Sequence, residues 1–301
     1  MPLTIRHRLS PTALAAVLML VAMFLFTTND AVGKWLTGHY SVGQLVFLRS
    51  TVAIVVLLPF LFRSGLKPLF VNERPFVLAA RVVLTVVDSF AFYFAVSLLP
   101  LADVMTYWLA APIYVAAFSP LLLKEHVGWR RWTAIGVGFL GVIAALEPSK
   151  ALLSSAAFVS LGGSLAFGFV LLSARSLRST PGLTMIFWQS LGGVVMGAAT
   201  LPFSWVAPPP NHWPALIALG LLAMGAHVLV NLAFKLADAA TVAPLQYTQL
   251  FWAIVFGWIV FGDFPSAAKF VGASLIIASG LFIFFRERRL KVQPRSEPSA
   301  P

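Results

Sequence analysis

The chain has 301 residues, of which 59% are hydrophobic and only 10% are charged, and it contains no cysteine. Soluble domains carry about 25% charged residues, so this composition excludes an ordinary water-soluble protein, and the lack of cysteine excludes disulfides and thiolate metal sites. The net charge of +11 could indicate nucleic acid as a partner. The basic residues are distributed as a membrane-topology signal instead, so no nucleic acid is expected.

Apolar stretches follow one another along almost the whole chain, and each has the roughly 18–24 residues that a helix needs to cross the hydrocarbon core of a bilayer. We therefore predict an all-α integral membrane protein with ten transmembrane spans surrounded by lipid. A basic cytoplasmic tail, predicted to be disordered, follows over residues 287–301. The ten predicted spans cover residues 12–36, 43–63, 76–98, 101–122, 129–146, 153–174, 183–203, 213–235, 240–261 and 266–286.

The Lys and Arg residues concentrate at one set of span boundaries. Sixteen of the 21 lie in the N-terminal segment, in the 2–3, 4–5, 6–7 and 8–9 loops, or in the tail. Only Lys34, Lys150 and Lys269 lie at the opposite boundaries, and Arg49 and Arg81 lie within spans. Because cytoplasmic segments are enriched in Lys and Arg, both termini are predicted to be cytoplasmic. A plasma (inner) membrane of bacterial type is the expected location.

Two copies of one segment are recognisable in the sequence. Residues 99–143 align with residues 237–281 without a gap, and residues 45–50 align with residues 185–190. We therefore predict a duplication of five spans. Because five is an odd number, the second copy enters the membrane from the opposite side, and inverted repeats of this kind place a transport site near the midplane between them. The repeats are predicted to cover residues 1–148 and 149–286.

Several motifs within the two copies resemble those of a known family. They are the run from Ser97 to Asp103, Ala111-Pro112, Lys124-Glu125, the run from Gly128 to Trp132, the run from Ala239 to Leu250, and Phe261-Gly262-Asp263. This pattern resembles the EamA-type signature of the drug/metabolite transporter superfamily, and the resemblance extends over residues 12–286. It implies a ten-helix bundle with a cavity lined by spans 1, 3, 4, 6, 8 and 9, whereas spans 5 and 10 would be packing elements. Similar members move amino acids, S-adenosylmethionine, riboflavin or other metabolites.

Four ionisable side chains lie well inside the predicted spans: Asp30 in span 1, Arg49 in span 2, and Arg81 and Asp88 in span 3. Such groups are costly in hydrocarbon and indicate functional sites by default. In a structural interpretation, Asp30 pairs with Arg49 or with Lys34 one turn away, and Arg81 reaches the cytoplasmic headgroups. In a functional one, Asp30, Arg49 and Asp88 take part in coupling. Asp88, near mid-membrane, would then bind a cationic solute group or carry a proton, because burial disfavours the charged carboxylate.

His227 and Asn231 are four residues apart on span 8 and therefore share a helix face. They form either a polar stripe along the cavity or, for His227, an ordinary packing contact. A histidine at this position would also suit proton coupling. No second histidine or carboxylate occurs at ligand spacing, so no metal is expected.

Aromatic and amide side chains occur at corresponding places on spans 4 and 9. The repeat aligns Trp108 with Gln246 and Tyr114 with Trp252. Such a wall suits a planar or amphiphilic solute, because rings offer stacking while amides and hydroxyls fix orientation. The alternative is an aromatic belt at the membrane interface. The candidate solute-binding residues are Asp88, Trp108, Tyr114, His227, Asn231, Gln246, Tyr247, Gln249 and Trp252.

Pro112 and Pro244 interrupt spans 4 and 9 and are predicted to shape the site, since proline frees a backbone carbonyl and kinks a helix. No phosphate-binding loop, metalloprotease motif or nucleophile elbow is present. The sequence therefore favours a secondary transporter of a small organic metabolite that works by alternating access, without a cofactor. A membrane-embedded lipid-modifying enzyme and a non-transporting scaffold are the alternatives. Ten helices complete one inverted pair, so a monomer suffices and a dimer is possible.

Overall fold

The computed structural model describes residues 10–70, 73–123, 128–145, 155–237 and 242–292, and within these ranges every regular element is a helix. Predictions for the basic N-terminal segment, Lys124, Glu125, Lys150 and residues 239–241 lie outside the described residues. The helices are α1 (Pro11–Thr37), α2 (Val42–Ser64), α3 (Lys67–Phe70), α4 (Pro75–Leu98), α5 (Leu101–Trp108), α6 (Ala111–Leu123), α7 (Trp129–Ala145), α8 (Ser155–Ser176), α9 (Gly182–Ser204), α10 (Trp213–Leu236), α11 (Thr248–Phe261) and α12 (Ala267–Val292).

Within the described residues, nine helical segments are long and apolar enough to cross a membrane. One of them combines α5 and α6, and another runs from Pro244 through α11. The fifth predicted span corresponds to α7, whose 17 residues fall short of that length. The last helix continues to Val292, into the segment predicted to be a disordered tail, because the next helix-breaking residue in the sequence is Pro294.

Local sequence signals explain where the main helices begin. The hydroxyls of Ser10 and Ser41 cap α1 and α2 by accepting hydrogen bonds from the backbone N–H groups of Ala13 and Gln44, at 3.2 and 3.3 Å. Proline occupies the first turn of α1, α4 and α10, where its missing N–H costs nothing. These signals come from the chain itself and are independent of the surrounding bilayer.

The two spans that contain Pro112 and Pro244 are interrupted; that the prolines cause this stays a prediction. A turn at Leu109 and Ala110 separates α5 from α6, just before Pro112. Ahead of α11, the backbone forms a 3-10 helix over Ala243–Tyr247, which contains Pro244. All eight residues of α5 are buried, so the first half of this interrupted span lies at the centre of the bundle.

The main helix contacts join the first half of the chain to the second: α1 packs on α10, α4 on α8, α2 on α9, and α7 on α12. The contact between α2 and α9 is close enough to require glycine. A Cβ atom at Gly197 would lie 2.7 Å from the backbone nitrogen of Phe47 and 2.8 Å from the carbonyl oxygen of Gly43. Small residues permit this approach between membrane helices.

The outside of the bundle is covered by large apolar side chains, including Phe62, Phe203 and Ile259, which are 73%, 89% and 71% exposed. Water would penalise this surface, whereas hydrocarbon does not. Several polar and charged groups of the spans instead contact one another inside the bundle, among them Arg49 with Tyr93 and Trp108 with Asp88.

Candidate solute-binding site

Arg49 lies on α2 and is partly exposed inside the bundle. Its Nη1 donates a hydrogen bond to the hydroxyl of Tyr93 at 3.3 Å, and its guanidinium carbon lies 5.9 Å from the centroid of the Tyr93 ring. Its charge also interacts with those of Asp30 and Asp88. Three half-buried charged residues from α1, α2 and α4 therefore form one cluster inside the bundle.

Each carboxylate of this cluster is held by a neutral donor. The indole Nε1 of Trp108, on α5, donates to Oδ1 of Asp88 at 2.7 Å. The side-chain amide of Gln249, on α11, donates to Oδ2 of Asp30 at 3.4 Å. The hydroxyl of Thr27 is 3.4 Å from the carbonyl oxygen of Gln249 and fixes the same junction of α1 with α11. The cluster thus contains side chains from both halves of the chain.

The structural interpretation offers Arg49 or Lys34 as the partner of Asp30, and Lys34 makes no ion pair with Asp30 among the described residues. The Nζ of Lys34 instead lies 2.9 Å from Oδ2 of Asp263 and donates to the carbonyl oxygen of Leu99 at 2.9 Å. It also lies 4.8 Å from the centroid of the Phe261 ring. Lys34 is one turn nearer the end of α1, so its long side chain reaches the residues that follow α4 and α11.

A second ion pair lies at the same end of the bundle, where Lys269 at the start of α12 contacts Asp103 in the first turn of α5. We call this end, defined by Lys34, Asp263, Lys269 and Asp103, the Lys34 end. Each of its two ion pairs joins one residue from each half of the chain.

A cavity of about 70 Å³ opens beside Arg49, between α2, α4, α9 and α10. The sequence repeat aligns Arg49 with Gln189 and Ser50 with Ser190, and all four residues line this cavity. Of the six cavity-lining spans implied by the family resemblance, only spans 3 and 8 contribute described residues to this cavity. Its other two walls are spans 2 and 7. The polar side chains of the lining are Arg49, Ser50, Thr85, Ser89, Gln189, Ser190 and His227.

His227 lines this cavity, but one of its ring nitrogens is already engaged. Nδ1 is 2.7 Å from the carbonyl oxygen of Ala223, one turn earlier in α10. A carbonyl accepts only, so the neutral ring carries its proton on Nδ1 and leaves Nε2 as an acceptor. The ring also meets Phe26 edge-on at 4.9 Å between centroids. Among the described residues, no three His, Asp or Glu side chains are placed to hold a metal.

The other predicted aromatic residues lie apart from the cluster. Tyr114 is buried, with its hydroxyl 3.4 Å from that of Ser164 on α8. Trp252 packs edge-on against Phe24 at 5.0 Å. The hydroxyl of Tyr247 is directed at α12, where it would be 1.8 Å from a Cβ atom added at Gly280.

Two predicted polar residues, Asn231 and Gln246, are exposed at the surface of the described structure. Gln246 lies in the 3-10 segment, whereas Gln249 lies in the first turn of the α-helix that begins at Thr248. Pro112 is exposed and Pro244 partly buried. Whether these residues contact solute stays a prediction.

That Arg81 reaches the cytoplasmic headgroups stays a prediction, and its guanidinium contacts α8. Its Nη1 donates to the carbonyl oxygen of Val170 and, at 3.0 Å, to the hydroxyl of Ser173, both on α8. Its Nε is buried without a hydrogen-bond partner among the described residues. Arg81 therefore links α4 to α8 on the side of the charged cluster that faces away from the Lys34 end.

Sequence reasoning missed Tyr93, Gln189 and the partner of Lys34. Gln189 had a detectable signal, because the repeat aligns it with Arg49. Tyr93 had none, since a tyrosine in an apolar helix is ordinarily a packing residue. The contact between Lys34 and Asp263 joins residues far apart in sequence and depends on how α1 packs beside α11.

An apolar-surfaced helical bundle that encloses a charged cluster defines the chain as a multi-pass membrane protein with an internal polar site. The sequence profile of the EamA-like transporter family matches residues 13–146 and 154–285, so the chain belongs to this family. The family and the names of its relatives indicate a transporter rather than an enzyme, located in the plasma (inner) membrane.

Curated relatives resemble the chain over nearly its full length. The S-adenosylmethionine uptake transporter of Rickettsia felis is 24% identical, with 90% of this chain and 92% of the relative covered. The riboflavin transporter of Rhizobium johnstonii is 27% identical, with 95% of each chain covered. One crystal structure matches with a TM-score of 0.65 at 17% identity, covering 92% of this chain and 98% of the other. That likeness supports the fold alone.

Proposed function

We propose that the protein is a secondary transporter that moves a small organic metabolite by alternating access between two inverted halves. The observation that carries this proposal is the cluster of Asp30, Arg49 and Asp88 inside a bundle with an apolar surface. Ionisable groups within a membrane are expensive and occur on solute and ion pathways. Gln249 and His227 bring groups of the second half to the same region.

The pattern of helix packing supports an inverted duplication. If α1, α2, α4 and α7 correspond to α8, α9, α10 and α12, then the contact of α1 with α10 has its counterpart in that of α8 with α4. Likewise, the contact of α2 with α10 corresponds to that of α9 with α4. The pairs α2–α9 and α7–α12 each join a helix to its own counterpart. Such matching is expected of repeats related by a pseudo-two-fold axis.

We count the shorter helix α7 as a span in addition to the nine longer segments. The total is then ten, an even number, which places both termini on one side of the membrane. The described basic residues Arg63, Arg74, Arg130 and Arg178 lie at the end of the bundle opposite the Lys34 end. At the Lys34 end, the cations Lys34 and Lys269 are paired with carboxylates. By the positive-inside rule, the Lys34 end is external and the termini are cytoplasmic. The repeats would then cover residues 1–148 and 149–286.

The arrangement at the Lys34 end corresponds to the state of an alternating-access cycle in which the external side is closed. Its two ion pairs bridge the halves and would hold the external side closed. The central cavity of about 70 Å³ is also much smaller than the roughly 300–1,000 Å³ of sites for drug-sized ligands. Solute binding therefore requires the halves to separate, and an exchange between two such arrangements would carry solute across.

The names of the relatives supply the first candidate solutes, S-adenosylmethionine and riboflavin. Asp88, Trp108, Gln249 and His227 would contact solute, with Asp30 and Arg49 setting the charge of the site. Tyr114, Asn231, Gln246, Tyr247 and Trp252 would contribute only if the opened state brings them to the cavity. A monomer contains all of these groups.

The proposal is tested by uptake and counterflow in proteoliposomes with labelled S-adenosylmethionine, riboflavin and amino acids, with and without a pH gradient. We expect one solute to move down its gradient and to exchange. If Asp88 carries a coupled proton, Asp88→Asn abolishes accumulation driven by the pH gradient but retains exchange. Transport unaffected by Asp88→Asn would exclude that role, and a lack of transport of every solute would contradict the proposal.

A further inference from the structure

The walls of the central cavity carry one fixed positive charge and a set of neutral hydrogen-bonding groups. Arg49 contributes the charge, Gln189 the amide, and Ser50, Thr85, Ser89 and Ser190 the hydroxyls. No carboxylate is among the described residues that line it. Asp30 and Asp88 affect Arg49 through their charge but do not form the cavity wall.

The guanidinium of Arg49 retains most of its hydrogen-bonding capacity. Arginine has five N–H donors in a planar fork, and the structure shows one hydrogen bond, to the Tyr93 hydroxyl. Neither neighbouring carboxylate forms a direct ion pair with Arg49 within the described part of the chain. Asp88 is held by Trp108 and Asp30 by Gln249. The remaining donors are therefore available to a ligand in the cavity whose wall Arg49 forms.

We infer that Arg49 binds the carboxylate of the transported solute, and that the solutes recognised here are zwitterions with a carboxylate at one end. A carboxylate matches the fork of a guanidinium in a bidentate pair. Gln189 and Ser190, both on α9 in the second half of the chain, line the same cavity and can donate to the same oxygens. The volume of about 70 Å³ suits this group and its first carbon atoms rather than a whole solute.

The carboxylates of Asp30 and Asp88, near Arg49 but outside the cavity wall, limit which anions can bind. With Asp30 and Asp88 nearby, the cluster has a formal charge of −1 when all three groups are ionised, so an anion without a cationic group of its own would be repelled, and a dianion such as phosphate most strongly. A solute that brings a carboxylate to Arg49 and a cationic group towards Asp88 satisfies both sides. The inference rests on the proposed transport function and narrows its solute: riboflavin, which has no carboxylate, does not fit.

The test compares solutes that differ only at the carboxylate. Proteoliposomes containing the full chain are assayed for uptake of S-adenosylmethionine and of methionine, in competition with decarboxylated S-adenosylmethionine, with methionine amide and with riboflavin. We expect each analogue without a carboxylate to compete at least tenfold less well than its parent. Arg49→Gln should raise KM for the parent solute at least tenfold and Arg49→Lys by less, because lysine keeps the charge but not the fork.

The matched control is Arg63→Gln, an exposed position on the same helix, which should leave uptake unchanged. If Arg49→Gln does not fold, the comparison of analogues in the wild-type protein decides by itself. Equal competition by the decarboxylated or amide analogue, or transport of riboflavin, would overturn the inference while leaving the transporter function intact. Transport of none of these solutes would contradict the proposed function itself.

Discussion

The indole nitrogen of Trp108 donates a 2.7 Å hydrogen bond to the carboxylate of Asp88, joining α5 to α4 at the centre of the bundle. Both residues were candidates from sequence, but for different reasons: Asp88 as a charge within a span, and Trp108 as an aromatic residue in a repeated segment. Their contact makes Trp108 the residue that orients the carboxylate. It also explains how a charged group is tolerated at this depth.

Replacing Trp108 with phenylalanine keeps an aromatic side chain but removes the indole N–H donor. We expect a loss of about 1–3 kcal/mol of stability, because a hydrogen bond to a charged group is broken and the carboxylate oxygen loses its partner. Uptake in proteoliposomes should fall by about tenfold or more, since about 1.4 kcal/mol corresponds to tenfold. Trp188→Phe is the control: it removes a 2.8 Å bond to the carbonyl oxygen of Leu69, away from the cluster. Equal loss of uptake in both variants would contradict a special role for the Asp88 contact.

The position of Trp108 can also be tested through a neighbouring helix. A Cβ atom at Gly163, on α8, would lie 2.6 Å from Cβ of Ala91 and 2.8 Å from the Trp108 ring. We expect Gly163→Ala to cost about 1–3 kcal/mol through overpacking and to lower uptake. Gly162→Ala meets no atom within 4 Å and should leave melting temperature and uptake nearly unchanged. A melting curve of Gly163→Ala identical to that of Gly162→Ala would show that Trp108 is not packed in this way.

The ion pair of Lys34 with Asp263 should control access from the external side. Because the chain has no cysteine, a single Ser89→Cys reporter in the cavity can be labelled without a background. We expect a membrane-impermeant thiol reagent added outside to label this cysteine several-fold faster when Lys34→Met is also present. Exchanging the charges, with Lys34→Asp and Asp263→Lys together, should restore slow labelling. If neither Lys34→Met nor the exchange of charges alters the labelling rate, the ion pair does not close the external side.

The hydrogen bond from Gln249 to Asp30 should contribute more to uptake and stability than the amide of Gln246 on the same segment. Gln249→Met removes the donor at similar length, and we expect reduced uptake with a loss of stability of about 1 kcal/mol. Gln246→Met is the comparison, because Gln246 is exposed and has no side-chain hydrogen bond to any residue that the structure describes. A larger loss of uptake in Gln246→Met than in Gln249→Met would contradict this prediction and would indicate that the exposed Gln246 contacts the solute.

Much of the fold follows from sequence because the bilayer imposes a strict length and polarity on each span. The nine segments long enough to span, the serine caps of α1 and α2, and the interruptions near Pro112 and Pro244 could all be read from the chain. The fifth span falls short in the structure, with 17 described residues, and its place among ten spans stays a prediction. The inverted relationship and the cytoplasmic termini also remain predictions.

The sequence by itself determined that this is a multi-pass membrane protein, and it predicted two similar halves. It also singled out Asp30, Arg49 and Asp88, because a charge in an apolar run is conspicuous without any structure. Only the tertiary structure decided their partners. It placed Tyr93 beside Arg49 and Lys34 beside Asp263, and it made spans 2 and 7 walls of the cavity together with spans 3 and 8. These contacts depend on how helices distant in sequence are rotated against one another. In a bundle that is apolar on nearly every face, hydrophobic periodicity carries little information about that rotation.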